Sequence, residues 1–232
     1  MLDRALKFAR EKHDGQKRKG NKEYIEHPIS VCKRLQDIGV IDENILCSSL
    51  LHDTLEDTET KETELENLFG IKIQKIVSEL SSDNKEIEYL GNEQYKKWLI
   101  DPDTCETSSI VVQLNKYYPS ISSEKVKKRQ GKSLYLSYKL SKISSEAKLI
   151  KLADRLDNIS DIFTLVKSSS DSTENRQFQK DMEFLMEYFC ETQFLITTLT
   201  STNILSSHLD YYSSLVASLN FVLSDINYYL AK

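Results

Sequence analysis

The chain has 232 residues, with 31 basic and 36 acidic side chains, which give a formal net charge of −5. It contains only six glycines and three prolines. This scarcity excludes collagen, which needs Gly at every third position, and disfavours β-sandwiches, which need frequent turn residues. The composition therefore predicts an all-α protein, and the length fits one compact domain. The negative charge argues against nucleic acids as partners, because they bind basic surfaces.

The cysteine pattern indicates neither a zinc knuckle nor a disulfide framework. Cys32, Cys47, Cys105 and Cys190 are scattered singly, and no two of them have C-x-x-C spacing. The chain also has no run of about 18 apolar residues that could span a bilayer, and its first residues do not resemble a signal peptide. We therefore expect a cytoplasmic protein with no membrane partner. The sequence leaves the oligomeric state open.

Helical periodicity and end signals predict five helices in the first part of the chain. The first ends near Gly15, and the second covers residues 27–38 and ends at Gly39. The third begins after Asp42, a plausible N-cap, and continues to Asp57. The fourth and fifth cover residues 62–68, ended by Gly70, and residues 71–80.

The second part of the chain begins with an irregular region. We predict an insertion at about residues 99–124, where Pro102 and Pro119 interrupt the helical pattern. Helices follow at residues 125–142, 145–166, 176–199 and 203–230. We interpret residues 1–232 as a single domain with a C-terminal helical extension from about residue 176.

The segment from Leu50 to Asp57 carries an unusual density of polar side chains. On a helix, residues four apart stack, so His52 would lie over Glu56 and Asp53 over Asp57. A cation would relieve the repulsion among the three carboxylates. One histidine nitrogen and one aspartate oxygen suit Mn, Fe or Zn better than Ca. Alternatively, the segment is an ordinary solvated acidic helix end.

Two further residues favour the metal site over that alternative. His27 precedes Pro28 at a predicted helix start, and Asp154 lies at the edge of an apolar stripe. Together with His52 and Asp53 they would offer two nitrogens and two oxygens to one divalent ion, with positions left for water and substrate. Glu56 and Asp57, one turn beyond the His-Asp pair, would then orient or deprotonate a water.

Four sequence blocks in this order resemble a known family. They are AREKHDGQKRK at residues 9–19, YIEHP at 24–28, LLHDTLEDT at 50–58 and AKLIKLADRLDN at 147–158. The order resembles the HD superfamily of metal-dependent phosphohydrolases. It is most similar to the hydrolase domain of RelA/SpoT-type proteins and to the small alarmone hydrolases. The resemblance covers residues 1 to about 165 and implies an HD-domain helical bundle.

The resemblance also implies roles for individual residues. His27, His52, Asp53 and Asp154 match the family's metal ligands, and the usual metal is Mn²⁺, although other transition metals are possible. Glu56 and Asp57 match the pair that activates the attacking water. We assign five residues to substrate binding: Arg18, Lys19, Tyr24 and Asn158 from the blocks, and Arg129 from a basic segment near the phosphates.

The implied reaction removes the 3′-pyrophosphate from guanosine tetra- or pentaphosphate (ppGpp or pppGpp), releasing GDP or GTP and pyrophosphate. Three departures from the family pattern stand out: Glu23 where a proline is common, Ser160 where an arginine is common, and the insertion at 99–124. We hypothesise that this insertion covers the active site or alters substrate choice. Alternatives are a phosphatase acting on the 2′-phosphate of NADPH or on an adenosine alarmone, or a nucleotide-binding regulator without turnover.

Overall fold

The structure is a computed structural model that describes residues 1–81, 133, 136, 139–140, 142–168, 176–200 and 204–230. The chain divides into two compact units. The first contains Met1–Ser81, Ile143–Ser168 and Asn203–Lys232, and the second contains Ser82–Lys142 and Ser169–Thr202. The predicted insertion at 99–124 and most of the predicted helix at 125–142 lie outside the described residues. The single-domain interpretation stays a prediction.

The described part of the chain is helical, as predicted, and its β-structure is limited to one isolated bridge between Lys17 and Glu23. Unit 1 contains eight of the helices. They are α1 (Leu2–Lys12), α2 (Glu26–Asp37), α3 (Glu43–Leu51), α4 (Thr54–Asp57), α5 (Glu62–Phe69), α6 (Ile71–Leu80), α7 (Ser145–Ser168) and, numbered last, α9 (Leu209–Leu230). No helix of the described residues is long and apolar enough to cross a membrane.

The core of unit 1 forms around α7. This helix packs against α2, α3, α6 and α9, while α3 packs against α1, α2 and α6. Apolar side chains on α7 are completely buried, among them Leu149, Ile150 and Ala153. Because α2, α3 and α7 all meet, polar side chains on their facing surfaces come together inside the bundle.

Local end signals explain several helix boundaries. Asp42 caps α3 by accepting a hydrogen bond from the backbone N–H of Asn44 at 2.7 Å. Gly39, with φ +93°, follows α2, and Gly70, with φ +87°, joins α5 to α6. Positive φ favours glycine, which lacks the Cβ atom that would clash.

Two predicted helix boundaries are wrong. The predicted continuous helix to Asp57 is divided into α3 and α4, with His52 and Asp53 between them. Here side chains bind the carbonyls that end α3: the His52 ring contacts the Ser49 carbonyl, and the Thr54 hydroxyl donates to the Leu51 carbonyl, each at 2.7 Å. The last helix begins at Leu209 instead of residue 203, and a 3-10 turn, Ser206–His208, precedes it.

Unit 2 is represented mainly by one long helix, α8 (Arg176–Thr200). Its apolar residues Leu185, Phe194 and Leu199 are buried, and the rings of Phe184 and Tyr188, one turn apart, are 5.9 Å from each other.

Candidate active site

Three buried side chains from separate segments converge within unit 1. His27 lies in the first turn of α2, His52 directly follows α3, and Asp154 lies in α7. One potential ligand atom of each lies within 4.8 Å of the others. His27 Nε2 is 3.2 Å from Asp154 Oδ1, and His52 Nε2 is 4.0 Å from the same oxygen. These residues form a candidate metal site.

Asp53, the fourth predicted ligand, lies beside this cluster. Its Oδ1 is 3.2 Å from His52 Nε2, and its Oδ2 is 3.7 Å from His27 Nε2. The structure thus brings together all four predicted ligands. Their role as ligands stays a prediction.

The ring nitrogens of His52 fit a metal. His52 Nδ1 contacts the Ser49 carbonyl at 2.7 Å, and since a carbonyl only accepts, Nδ1 carries the proton. His52 Nε2 therefore has a free lone pair, and it is buried with no hydrogen-bond partner among the described residues. Metal-binding histidines are usually held in this way through the other ring nitrogen.

The carboxylates of the cluster stabilise a positive charge placed among them. Burial acts to lower the pKa of His27, but hydrogen bonds to Asp154 and Asp157 outweigh it and raise the pKa to about 9. Burial acts to raise the pKa of Asp154, but the Lys151 ammonium, 2.8 Å from Oδ2, and His27 hold it well below its usual value. The site therefore keeps its carboxylates ionised, which is the form that binds metals.

Asp157 also belongs to the site, although the sequence motifs indicated no role for it there. Its Oδ2 is 2.7 Å from His27 Nδ1, and its Oδ1 is 3.0 Å from Arg34 Nε and also accepts from the Ser30 hydroxyl. Burial acts to raise the pKa of Asp157, but the bonds from His27 and Ser30 hold it well below its usual value. The sequence feature that could have indicated this role is the position of Asp157 three residues after Asp154, on the same side of a helix.

Tyr24 connects the cluster to the predicted catalytic pair. Its hydroxyl shares its single proton between Asp53 Oδ2, at 2.7 Å, and Asp57 Oδ2, at 2.6 Å. Burial, together with the negative charge of Asp53, raises the pKa of Tyr24 far above its usual value, so the hydroxyl keeps its proton. Glu56 and Asp57 are exposed on α4. Tyr24, which we assigned to substrate binding, thus contacts carboxylates of the site.

His13 packs against the ring of Tyr24. The two rings stack with centroids 4.6 Å apart, and His13 Nδ1 is 2.8 Å from the Gln16 side-chain oxygen. The Gln16 amide in turn donates to the Asp57 carbonyl at 2.8 Å. The loop after α1 therefore contacts α4 through the side-chain amide of Gln16 and through the hydroxyl of Tyr24.

The predicted substrate-binding residues Arg18 and Asn158 lie next to each other. The Arg18 guanidinium donates to Asn158, and the Asn158 amide donates to Asp154. Arg18 also lies 3.1 Å from Asp161. Because Arg18 is paired with groups of α7, it is held against that helix in this structure, and a contact with nucleotide stays a prediction.

Lys19 is exposed in the same loop, whereas Arg129 lies outside the described residues. Lys17 and Lys22, the other lysines of this loop, pair with Glu23 and Asp161 respectively. The basic loop is therefore partly neutralised by neighbouring carboxylates.

The family comparison matches the first part of the chain. Residues 5–97 match the model of a family described as HD domain. This range contains His27, His52 and Asp53 but ends before Asp154.

Similar sequences are found among curated proteins. The chain is 41% identical over 101 residues to a guanosine-3′,5′-bis(diphosphate) 3′-pyrophosphohydrolase of Aquifex aeolicus, which covers 43% of this chain and 14% of that protein. It is 41% identical over 86 residues to guanosine-3′,5′-bis(diphosphate) 3′-pyrophosphohydrolase MESH1 of Xenopus tropicalis, covering 36% of this chain and 48% of that protein. The matched region thus spans less than half of each relative.

A solved structure has a similar fold. It is a metazoan ortholog of SpoT described as hydrolysing ppGpp and as having a role in starvation responses. The TM-score is 0.61 at 23% sequence identity, and the superposition covers 97% of this chain and 94% of that one. At this identity the likeness is evidence for the fold alone.

Proposed function

We propose, from the premise that this chain carries an HD domain homologous to guanosine-3′,5′-bis(diphosphate) 3′-pyrophosphohydrolases, that it is a metal-dependent nucleotide phosphohydrolase. Its proposed reaction removes the 3′-pyrophosphate of ppGpp or pppGpp and releases GDP or GTP. One observation carries the proposal: His27, His52 and Asp154, separated in sequence, bring their ligand atoms within 4.8 Å of one another in the interior.

The proposed cofactor is one divalent transition metal, Mn²⁺ in the first instance, held by His27, His52, Asp53 and Asp154. Such a mixed nitrogen and oxygen ligand set is compatible with Mn²⁺ and does not exclude Fe or Zn. When bound, the ion supplies positive charge that activates water and neutralises phosphate oxygens.

Glu56 and Asp57 are proposed to orient the attacking water and to accept the proton that it loses. The water oxygen joins the phosphorus nearest the ribose, and the 3′ oxygen leaves with the bonding electrons and takes up a proton. Glu56 is exposed on α4 and suits the role of proton acceptor. Asp57 is oriented by the Tyr24 hydroxyl at 2.6 Å, so its carboxylate is positioned before substrate arrives.

Substrate phosphates require local cations, and the loop at residues 15–24 contains the candidates. Arg18 and Lys19 are proposed to contact the nucleotide, Asn158 to contact its sugar or phosphate, and Arg129 to lie near the phosphates. Since the Arg18 guanidinium is held by Asp161 and Asn158, nucleotide binding would compete with these contacts.

A cytoplasmic location is proposed from the scattered cysteines, of which Cys32, Cys47 and Cys190 are free thiols.

The proposal is tested by substrate comparison. The Mn²⁺-loaded protein is incubated separately with ppGpp, pppGpp, ppApp and NADPH, and release of pyrophosphate or phosphate is measured. We expect pyrophosphate from ppGpp and pppGpp. Release only from ppApp, or phosphate only from NADPH, would contradict the guanosine substrate. No release from any of the four, with Mn²⁺ bound, would indicate a nucleotide-binding regulator.

A pair of matched variants tests the catalytic assignment. Glu56→Gln keeps the shape of the side chain but removes its basicity, so we expect Mn²⁺ binding to persist and turnover to fall by about 10²–10⁴-fold. Glu59→Gln makes the same change at an exposed residue three positions along and should leave turnover unchanged. Wild-type turnover in Glu56→Gln would remove Glu56 from the mechanism.

A further inference from the structure

We propose that Asp157 is the positioning residue of the metal site, and that it holds His27 with Nε2 directed at His52 and Asp154. Asp157 is not itself part of the candidate ligand cluster. The inference deepens the proposed function and rests on it, because it requires a divalent ion at that cluster.

The His27 ring is oriented by carboxylates at both of its nitrogens. Nδ1 lies 2.7 Å from Asp157 Oδ2, and Nε2 lies 3.2 Å from Asp154 Oδ1. A carboxylate can only accept, so Asp157 selects the form of His27 in which Nδ1 carries a proton. Nε2 is then the nitrogen available to a metal.

The Asp157 carboxylate is itself held in place by neighbouring side chains. Both residues are buried, with side chains 3% and 4% exposed for His27 and Asp157. Arg34 donates to Asp157 Oδ1 at 3.0 Å, and Arg18 lies 3.3 Å from Oδ2. Ser30, one turn after His27 on α2, donates to Oδ1 as well. Three further donors therefore hold this carboxylate, so it can fix the imidazole in turn.

The two histidines differ in the group that their Nδ1 atom contacts. His52 Nδ1 contacts a neutral backbone carbonyl within its own segment, at Ser49. His27 Nδ1 instead contacts a charged group on a different helix. A carboxylate partner makes the opposite ring nitrogen a stronger donor to a metal, and loss of such partners typically lowers metal affinity by about 10–100-fold. Asp157 therefore links metal affinity to the packing of α2 against α7.

The test is Mn²⁺ affinity, measured calorimetrically on the full chain after removal of metal with a chelator. Asp157→Asn should bind Mn²⁺ about 10–100-fold more weakly than the wild type. Asp161→Asn is the matched control, because it removes a carboxylate on the same helix that pairs with Arg18 and Lys22 but does not contact His27. Its Mn²⁺ affinity should equal that of the wild type.

A second measurement keeps the inference testable if Asp157→Asn does not fold. NMR of the His27 ring nitrogens in the wild type should show Nδ1 protonated, and addition of Zn²⁺ should shift Nε2. A Zn²⁺-induced shift at Nδ1, or wild-type Mn²⁺ affinity in Asp157→Asn, would overturn the inference. Neither result would affect pyrophosphate release by the wild type. Conversely, a protein that binds Mn²⁺ through His27 Nε2 but hydrolyses none of the four nucleotides would contradict the proposed function and leave the role of Asp157 intact.

Discussion

His27 Nδ1 and Asp157 Oδ2 lie 2.7 Å apart although 130 positions separate the two residues in the sequence. The contact joins the first turn of α2 to the middle of α7, and Asp154 lies one turn before it on α7. The candidate metal site is thus assembled by helix packing, and its residues should respond together when either the packing or the metal is changed.

Metal binding should stabilise the fold through His52. Since a ligand that binds only the folded state stabilises it by mass action, Mn²⁺ at about 100 times its Kd should add about 2.7 kcal/mol to the free energy of unfolding. For a chain of this size that corresponds to a rise in Tm of about 5–11 °C. His52→Ala removes the buried Nε2 that has no hydrogen-bond partner in the described part of the chain, so its Tm should not respond to Mn²⁺. An equal rise in wild type and His52→Ala would contradict the assignment of His52 as a ligand.

Removal of the Tyr24 hydroxyl should impair turnover more than folding. Tyr24→Phe keeps the ring that stacks on His13 but loses the hydrogen bonds to Asp53 and Asp57. Hydrogen bonds to charged groups contribute about 1.5–3 kcal/mol, so kcat for pyrophosphate release should fall about 10–100-fold. Tyr229→Phe removes a hydroxyl from a ring that packs on Phe163 and serves as the control. If both variants have the wild-type kcat, Tyr24 does not position the catalytic pair.

Loss of the Asp42 cap should destabilise the protein in a pH-dependent manner. Burial acts to raise the pKa of Asp42, but the backbone and side-chain hydrogen bonds from Asn44 outweigh it and keep the pKa below its ordinary value of 3.8. The carboxylate therefore stabilises the fold above that value, and the stabilisation is lost as pH falls through the pKa of the folded state. Asp42→Ala should lower the free energy of unfolding by about 1 kcal/mol at pH 7.

The measurement for Asp42 is urea unfolding at pH 7 and at pH 3. The difference between the wild type and Asp42→Ala should be smaller at pH 3. Asp37→Ala is the control, because Asp37 is exposed and pairs with Lys33 on the surface at 2.9 Å, an interaction worth less than about 1 kcal/mol. A difference that is constant with pH would contradict capping by the ionised carboxylate.

Substitution of Gly70 should destabilise the junction of α5 and α6 through the backbone alone. Gly70 has φ +87° and ψ 163°, a conformation that essentially only glycine adopts. A Cβ atom added there would meet no atom of the non-adjacent described residues within 4 Å, so their packing does not oppose the change. Gly70→Ala should cost about 1–3 kcal/mol in thermal unfolding. Glu66→Ala, on the exposed surface of α5, should have little effect, and an equally small effect in Gly70→Ala would contradict backbone strain.

The sequence by itself determined the helical class and most helix boundaries, because these depend on local patterns. The spacing of apolar residues and the end signals at Asp42, Gly39 and Gly70 act within a few residues of chain. The same holds for the local grouping of His52, Asp53, Glu56 and Asp57, and the order of the four motif blocks indicated that His27 and Asp154 belong with them.

Only the tertiary structure decided how these groups meet. The break of the helix at His52 depends on side chains that bind the carbonyls of Ser49 and Leu51. The spacing of apolar residues does not predict these contacts. The contact of Asp157 with His27 depends on how α7 packs against α2. A helix face shows which residues are buried together on one element, but the distance and angle between two elements are set by the packing of the whole core.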